Sequence, residues 1–150
     1  MTTSQNGSQV RYICLSYCWG APTKSRSITV NGSRLMVTEN LHSALSAIHR
    51  HHHHGTYYWI DAICINQDDI VERSRQVAQM WKIFASAEKV FAWLGDSDEE
   101  SKLATETISR YGLRYGPESL RLTDQHIFTD QENAAVSRLT EREYFTRTWI

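Results

Sequence analysis

Three short apolar runs, separated by segments with helical periodicity, constrain this chain more than any other feature. The runs are Tyr12-Ile-Cys-Leu-Ser-Tyr17, Tyr57-Tyr-Trp-Ile-Asp-Ala-Ile63 and Val90-Phe-Ala-Trp-Leu94. Each has the length and composition of a strand buried on both faces. Between the first two, Thr38 can cap a helix whose Leu41, Ala44, Leu45 and Ile48 recur at i, i+3, i+4 and i+7. Between the second and third, Asp69-x-x-Glu72 has the form of a capping box with Asp at the usual Ser or Thr position. The helix behind it carries Val77, Met80, Trp81 and Phe84 on one side and Glu72, Arg73, Arg75 and Lys82 on the other. Strand, helix, strand, helix, strand is the grammar of a parallel sheet with right-handed crossovers. The expected class is therefore α/β, a small parallel sheet with flanking helices. Asn31-Gly32, between Ser27–Val30 and Leu35–Val37, adds a β-hairpin. The expected core is Leu15, Ile60, Ile63, Val77, Trp81, Phe84, Val90 and Ala92.

Beyond the third run, Ser97-x-x-Glu100 opens a helix with Leu103, Thr107, Ile108 and Tyr111 inward. Residues 112–130 show no period and read as a variable loop. A further helical piece carries Ala134, Val136 and Leu139, and Thr140-x-x-Glu143 caps a turn holding Tyr144, Phe145 and Trp149. Residues 1–11 read as a disordered start and 12–150 as one domain. The chain stops within an amphipathic segment without a stop signal, so the domain is expected to be incomplete at its C-terminus.

Sixteen Lys and Arg against seventeen Asp and Glu leave a formal charge of −1, without the basic surplus of a nucleic-acid binder. No apolar run approaches the roughly 20 residues that cross a bilayer, and the polar, uncharged start lacks a secretory plan. Cys14 and Cys18 lie four residues apart in a strand, about 13 Å and too far to bridge. With Cys64 the count is odd, which points to reduced thiols used as small core residues and to a cytoplasmic location.

In an open parallel sheet, ligands sit beyond the carboxyl ends of the strands. The first run delivers Ser16, Tyr17 and Trp19-Gly20 to that edge, and the second delivers Asp61 and then Asn66-Gln67-Asp68. A carboxylate, two amides and aromatics thus gather as a polar pocket or interface. The competing reading is that Asp61 and Asn66 only cap loops and helix ends, as Asx residues commonly do. Arg73 and Arg75 face solvent or the pocket rim. The tract His51 to His54, with His49, reads as a solvated loop rather than a metal centre, because consecutive imidazoles cannot converge on one ion. Cys64 follows Asp61, but no isolated His accompanies it as a base. No glycine-rich phosphate loop is present, and neither a metal nor a cofactor is expected.

Taken in order, these segments resemble a known family. Tyr12-Ile-Cys-Leu-Ser-Tyr-Cys-Trp-Gly20 resembles the opening Y-x-x-L-S-Y-x-W-G of the fungal heterokaryon incompatibility (HET) domain. Ile28-Thr-Val-Asn-Gly32 with Val37-Thr-Glu-Asn-Leu41 resembles its next element. Trp59-Ile-Asp-Ala-Ile-Cys-Ile-Asn-Gln67, with Glu72-Arg73, Gln76-Val77 and Met80, is very similar to its central signature. Ala87 through Val90 with Trp93-Leu-Gly95 matches the third block, and Arg142 through Trp149 resembles the last, in which a Trp- and Arg-containing turn leads into a Gln-Glu pair. The histidine tract is no part of the pattern, and the chain ends before the Gln-Glu pair.

The resemblance implies fungal non-self recognition, with programmed cell death triggered through self-association or a protein partner. It also implies a TIR-like or flavodoxin-like fold. TIR-type members that cleave NAD use a Glu near a Trp on the helix after the third strand, whose counterpart here would lie just past Trp149. Two alternatives therefore stay open, a hydrolase of NAD(P)-type nucleotides and an inactive remnant. The candidate pocket or interface comprises Ser16, Tyr17, Trp19, Asp61, Asn66, Gln67, Arg73, Arg147 and Trp149. Asp61 is expected to be held by backbone donors and by Arg73 or Arg147.

Overall fold

The computed structural model describes residues 10–51, 55–115 and 128–146, which form two compact units divided after Gly95. Arg147, Trp149, His52, His53, His54 and the stretch 116–127 of the expected variable loop lie outside the described residues.

The first unit is built on a three-stranded parallel sheet of order β4-β1-β5, formed by β1 (Tyr12–Tyr17), β4 (Tyr57–Trp59) and β5 (Lys89–Trp93). Beside it stands an antiparallel hairpin of β2 (Lys24–Val30) and β3 (Ser33–Thr38). Both turn residues take left-handed backbone, Asn31 at φ 50° and Gly32 at φ 79°, as a two-residue hairpin loop requires. The small parallel sheet, flanking helices and added hairpin are those expected from the residue pattern.

Alternation along the strands divides the side chains between two faces. Leu15 and Tyr17 of β1, Tyr58 of β4, and Phe91 and Trp93 of β5 share one face. That face meets helix α1 (Glu39–His51), whose Leu41, Ala44 and Ile48 are buried with Val37 of the hairpin. Thr38 caps α1, its hydroxyl accepting from the Leu41 amide at 3.3 Å.

The opposite face carries Tyr12, Cys14 and Trp59 and meets α3 (Ile70–Ser86). The Tyr12 hydroxyl donates to the Ile83 carbonyl at 2.8 Å, and the Trp59 and Phe84 rings meet edge to face at 5.7 Å. Burial pushes the Cys14 thiol up to about 11, so it stays protonated and behaves as a small apolar residue. Cys18 is also buried, but Cys64 is exposed and does not serve the core.

Several expectations fail here, each for a physical reason. The second apolar run is a strand only to Trp59. Ile60 is extended, and its carbonyl accepts from the Cys64 amide at 2.8 Å, turning Asp61–Cys64 into the single-turn helix α2. A short apolar run cannot distinguish these states by periodicity. On α3, the contacts of Ile83 and Phe84 fix the rotation, so Gln76, Met80, Ile83 and Phe84 turn inward. Val77 and Trp81, expected in the core, are exposed, Trp81 by 68%. Val90 and Ala92 are exposed because β5 is an edge strand and α3 seats on β1 and β4. Leu15 and Ile60 are buried as expected, while Ile63 is half-buried. The capping box at Asp69 forms only in part: Asp69 accepts from the Val71 and Glu72 amides, but Glu72 accepts from the Asn66 amide instead of closing the box.

The second unit comprises α4 (Glu99–Tyr115), α5 (Asp130–Thr140) and the single-turn α6 (Glu143–Thr146). Helix α4 begins later than expected, on a reciprocal pair in which Asp98 and Ser101 each accept from the other's amide. Its buried side is Ser101, Ala104 and Thr107, and Ile108 is exposed. On α5 the buried residues include Ala135 and Leu139, whereas Ala134 is exposed. Thr140 donates to the Ser137 carbonyl rather than capping α6. A capping box at Thr129 and Glu132 starts α5, and Glu132 also pairs with Arg110 of α4.

Donation from the Thr129 amide and hydroxyl, with Arg110 beside it, holds the Glu132 carboxyl below its usual range. Ser101 first, then Arg142, does the same for Asp98. Groups depressed in the folded state contribute stability above their unfolded pKa and lose it as pH falls through the folded value. The melting temperature should therefore drop on acidification across and below the usual carboxylate range. Glu132→Gln should flatten that slope in thermal melts taken at several pH values; an unchanged slope would remove Glu132 from the acid response.

Candidate functional site at the carboxyl edge of the sheet

Parallel pairing of β1 with β4, from Tyr12↔Tyr57 to Cys14↔Trp59, brings both carboxyl ends to one edge. There the Trp19 indole N–H donates to Asp61 Oδ2 at 2.9 Å, although the two residues are 42 apart in sequence. The other Asp61 oxygen, Oδ1, accepts from the Ala62 amide at 2.7 Å. Its backbone carbonyl accepts from the Gln67 side-chain amide at 2.9 Å and from the Ile65 amide at 3.1 Å. Asp61 is thus the knot of the loop after β4. Its side chain starts α2 and ties that turn to the loop after β1.

The remaining expected residues fall around this knot or away from it. Asn66 uses its side-chain oxygen to accept from the Asp68 amide at 3.2 Å, an Asx turn that shapes the approach to α3. Arg73 does not reach Asp61, contrary to expectation; its guanidinium donates to the Gln67 carbonyl at 3.3 Å. Arg73 therefore braces the loop from the next turn of α3. Ser16 and Tyr17 are both buried, and alternation sends them to opposite faces, Tyr17 into the cluster under α1. Neither stands open at the edge, whereas Trp19 is 41% exposed.

Two further residues complete the edge. Asn40, in the first turn of α1, donates through Nδ2 to the Cys18 carbonyl at 2.6 Å. Its Oδ1 accepts from the Trp93 indole N–H at 2.9 Å. One amide thus joins the ends of β1 and β5 and uses both its donor and its acceptor. The chain passes from β1 to β4 on one side and crosses to β5 on the other, so the strand order reverses between β1 and β5. That crevice is where open α/β sheets bind ligands. Gly20 lies against it in left-handed backbone at φ 67°, with room for a Cβ only 3.5 Å from Asn40 Cβ.

Asn40 and Trp93 stand inside segments quoted for the family resemblance but were given no role from the sequence. The available signal was an Asn just inside a helix, where its side chain competes with the backbone unless it has a partner elsewhere. Among the described residues no group of three or more His, Cys, Asp or Glu could hold a metal ion. No helix among them is long and apolar enough to cross a membrane.

Comparison with known proteins gives a consistent family signal. The family model described as heterokaryon incompatibility protein (HET) matches residues 12–150. The chain is 36% identical over 116 residues to heterokaryon incompatibility protein 6, OR allele, of Neurospora crassa. That alignment covers 69% of this chain and 17% of the relative, so the chain matches about a sixth of the relative's length. No solved structure matches the chain.

Proposed function

The chain belongs to the heterokaryon incompatibility (HET) domain family, and from that premise we propose that it acts in the cytoplasm as a module of fungal non-self recognition. In this reading it triggers programmed cell death through self-association or through binding a protein partner. One observation carries the proposal. The residues that tie the sheet edge together, Trp19, Asn40, Asp61, Gln67 and Trp93, all fall within the segments that resemble the family blocks, and they bond to one another across those blocks. A surface assembled from three separated segments and held by side-chain hydrogen bonds is suited to present a fixed shape to a partner.

A second reading, hydrolysis of an NAD-type nucleotide, draws on the crevice between β1 and β5. An indole borders it, and ligands favour that position in such sheets. Cleavage there needs a carboxylate free to stabilise positive charge on the ribose. Both oxygens of Asp61 are already engaged by fixed donors, which favours the assembly reading over this one.

The test is inducible expression of the 150-residue chain in a heterologous fungal cell, alone and fused to a dimerising partner, with viability and NAD level scored together. Loss of viability at constant NAD is the expected result, with Asp61→Ala relieving it. Survival under every arrangement would overturn the proposal. A fall in NAD preceding death would favour the nucleotide reading instead.

A further inference from the structure

Helix α3 has no buried residue, although it is 17 residues long and packs on the sheet. Its inward contacts use half-buried Gln76, Met80, Ile83 and Phe84. A different face carries Ile70, Val77 and Trp81, exposed by 68%, 51% and 68%. These residues follow one another at i, i+7 and i+11, so they lie within a narrow stripe about 16 Å long. Exposed Ser74, Ala78 and Ala85 stand in or beside the stripe, and exposed Val71 adds apolar surface at its N-terminal end. Single exposed apolar residues are ordinary, but a continuous stripe ending in an exposed Trp marks an interaction surface.

The stripe is self-complementary when two copies lie antiparallel. Its centre falls near Ser74 and Val77, so Trp81 of one copy meets Ile70 and Val71 of the other. The small Ser74 and Ala78 near the centre let the backbones approach. Charge follows the same symmetry: Asp68, Asp69 and Glu72 cluster at the N-terminal end, whereas Lys82 stands near the C-terminal end. Antiparallel pairing sets the acidic end of each helix against the basic end of the other and opposes the two macrodipoles. Arg73 and Arg75 fall near the middle but are exposed, where water and salt weaken their mutual repulsion.

We infer that the Ile70–Ser74–Val77–Trp81 face of α3 pairs antiparallel with the same face of a second copy, giving a two-fold dimer. This names the surface for the self-association proposed above, and it rests on that reading only for its biological purpose. One helix face per copy buries less than the roughly 1,200–2,000 Å² of a stable interface, so the dimer should be weak and reversible.

The test is sedimentation equilibrium of the whole 150-residue chain from about 1 to 500 μM, a range chosen for a weak interface. The expected result is a monomer–dimer equilibrium weakened at least ten-fold by Trp81→Glu, with circular dichroism unchanged because Trp81 is exposed. Asp68→Lys and Lys82→Glu should each weaken the dimer, and the two together should restore it. A monomer throughout the range, or a dimer indifferent to Trp81→Glu, would overturn the inference; so would a double variant no stronger than the single ones. A chain that dimerises but does not kill sinks the death-module reading and leaves the surface standing. A chain that kills as a monomer does the reverse.

Discussion

Leu15→Ala should lower the unfolding free energy by about 3–5 kcal/mol, whereas Trp81→Ala should change it by no more than about 0.5 kcal/mol. Leu15 is 2% exposed at the centre of the sheet, where the middle strand meets α1. Its cluster includes Leu41, Ala44, Ile48 and Val37 from two other elements, so a cavity there cannot be filled by one side chain moving. Domains of this size are stable by only about 5–15 kcal/mol, and a loss of that size would leave a substantial unfolded fraction. Trp81 is the larger residue, and volume alone would rank it above Leu15. Its exposure reverses the order, because truncation removes little surface that folding had taken from water. Urea titrations at concentrations low enough to keep the chain monomeric measure both. Equal losses would mean that α3 is rotated so that Trp81 faces the sheet.

Asn40→Ala should cost about 1–3 kcal/mol, mainly by leaving the Cys18 carbonyl and the Trp93 indole N–H without their partner. Asn40→Asp separates the two bonds. An ionised carboxylate still accepts from Trp93, but it sets an oxygen against the Cys18 carbonyl where a donor now stands at 2.6 Å. The Asp variant should therefore be destabilised at neutral pH and regain part of its stability on acidification, when a protonated carboxyl can donate again. The Trp93 environment, followed by fluorescence, should change in Asn40→Ala and stay near that of the parent in acidified Asn40→Asp. If both variants melted with the parent at every pH, the amide would not be what joins β1 to β5.

Legibility differed between elements for physical reasons. The first strand, the first helix and the hairpin were readable because each is determined locally. Alternation or a 3.6-residue stripe selects the element, Thr38 starts the helix, and Asn31-Gly32 is chemically suited to the left-handed turn. The segment after Trp59 was not, because an apolar run of seven residues satisfies either a strand or a strand followed by a helical turn. The broken capping box at Asp69 failed for a different reason. Glu72 had a competing amide at Asn66, brought near by a loop whose path the motif does not encode.

At the candidate site, the residue types were legible and the partnerships only partly so. Trp19, Asp61 and Gln67 were expected at one edge, and Asp61 meets the other two there. Arg73 was expected on Asp61 and is found on the Gln67 carbonyl one step away. Asn40 and Trp93 went without a role, since nothing in their local sequence reveals that β5 lies beside β1.

The sequence by itself determined the α/β class, the family and the set of polar residues carried at strand ends, because those follow from periodicity, turn chemistry and ordered motifs along the chain. Tertiary structure alone decided the strand order β4-β1-β5, and with it the placing of Asn40 in the crevice between β1 and β5. It also decided which face of α3 looks inward. Two apolar faces compete on that helix, and local periodicity scores them alike; the Tyr12 bond to Ile83 and the Trp59 ring on Phe84 select one and leave Val77 and Trp81 to solvent. Rotation of a helix about its axis costs nothing until another element touches it, so contacts made across the fold, rather than the pattern along the chain, set it.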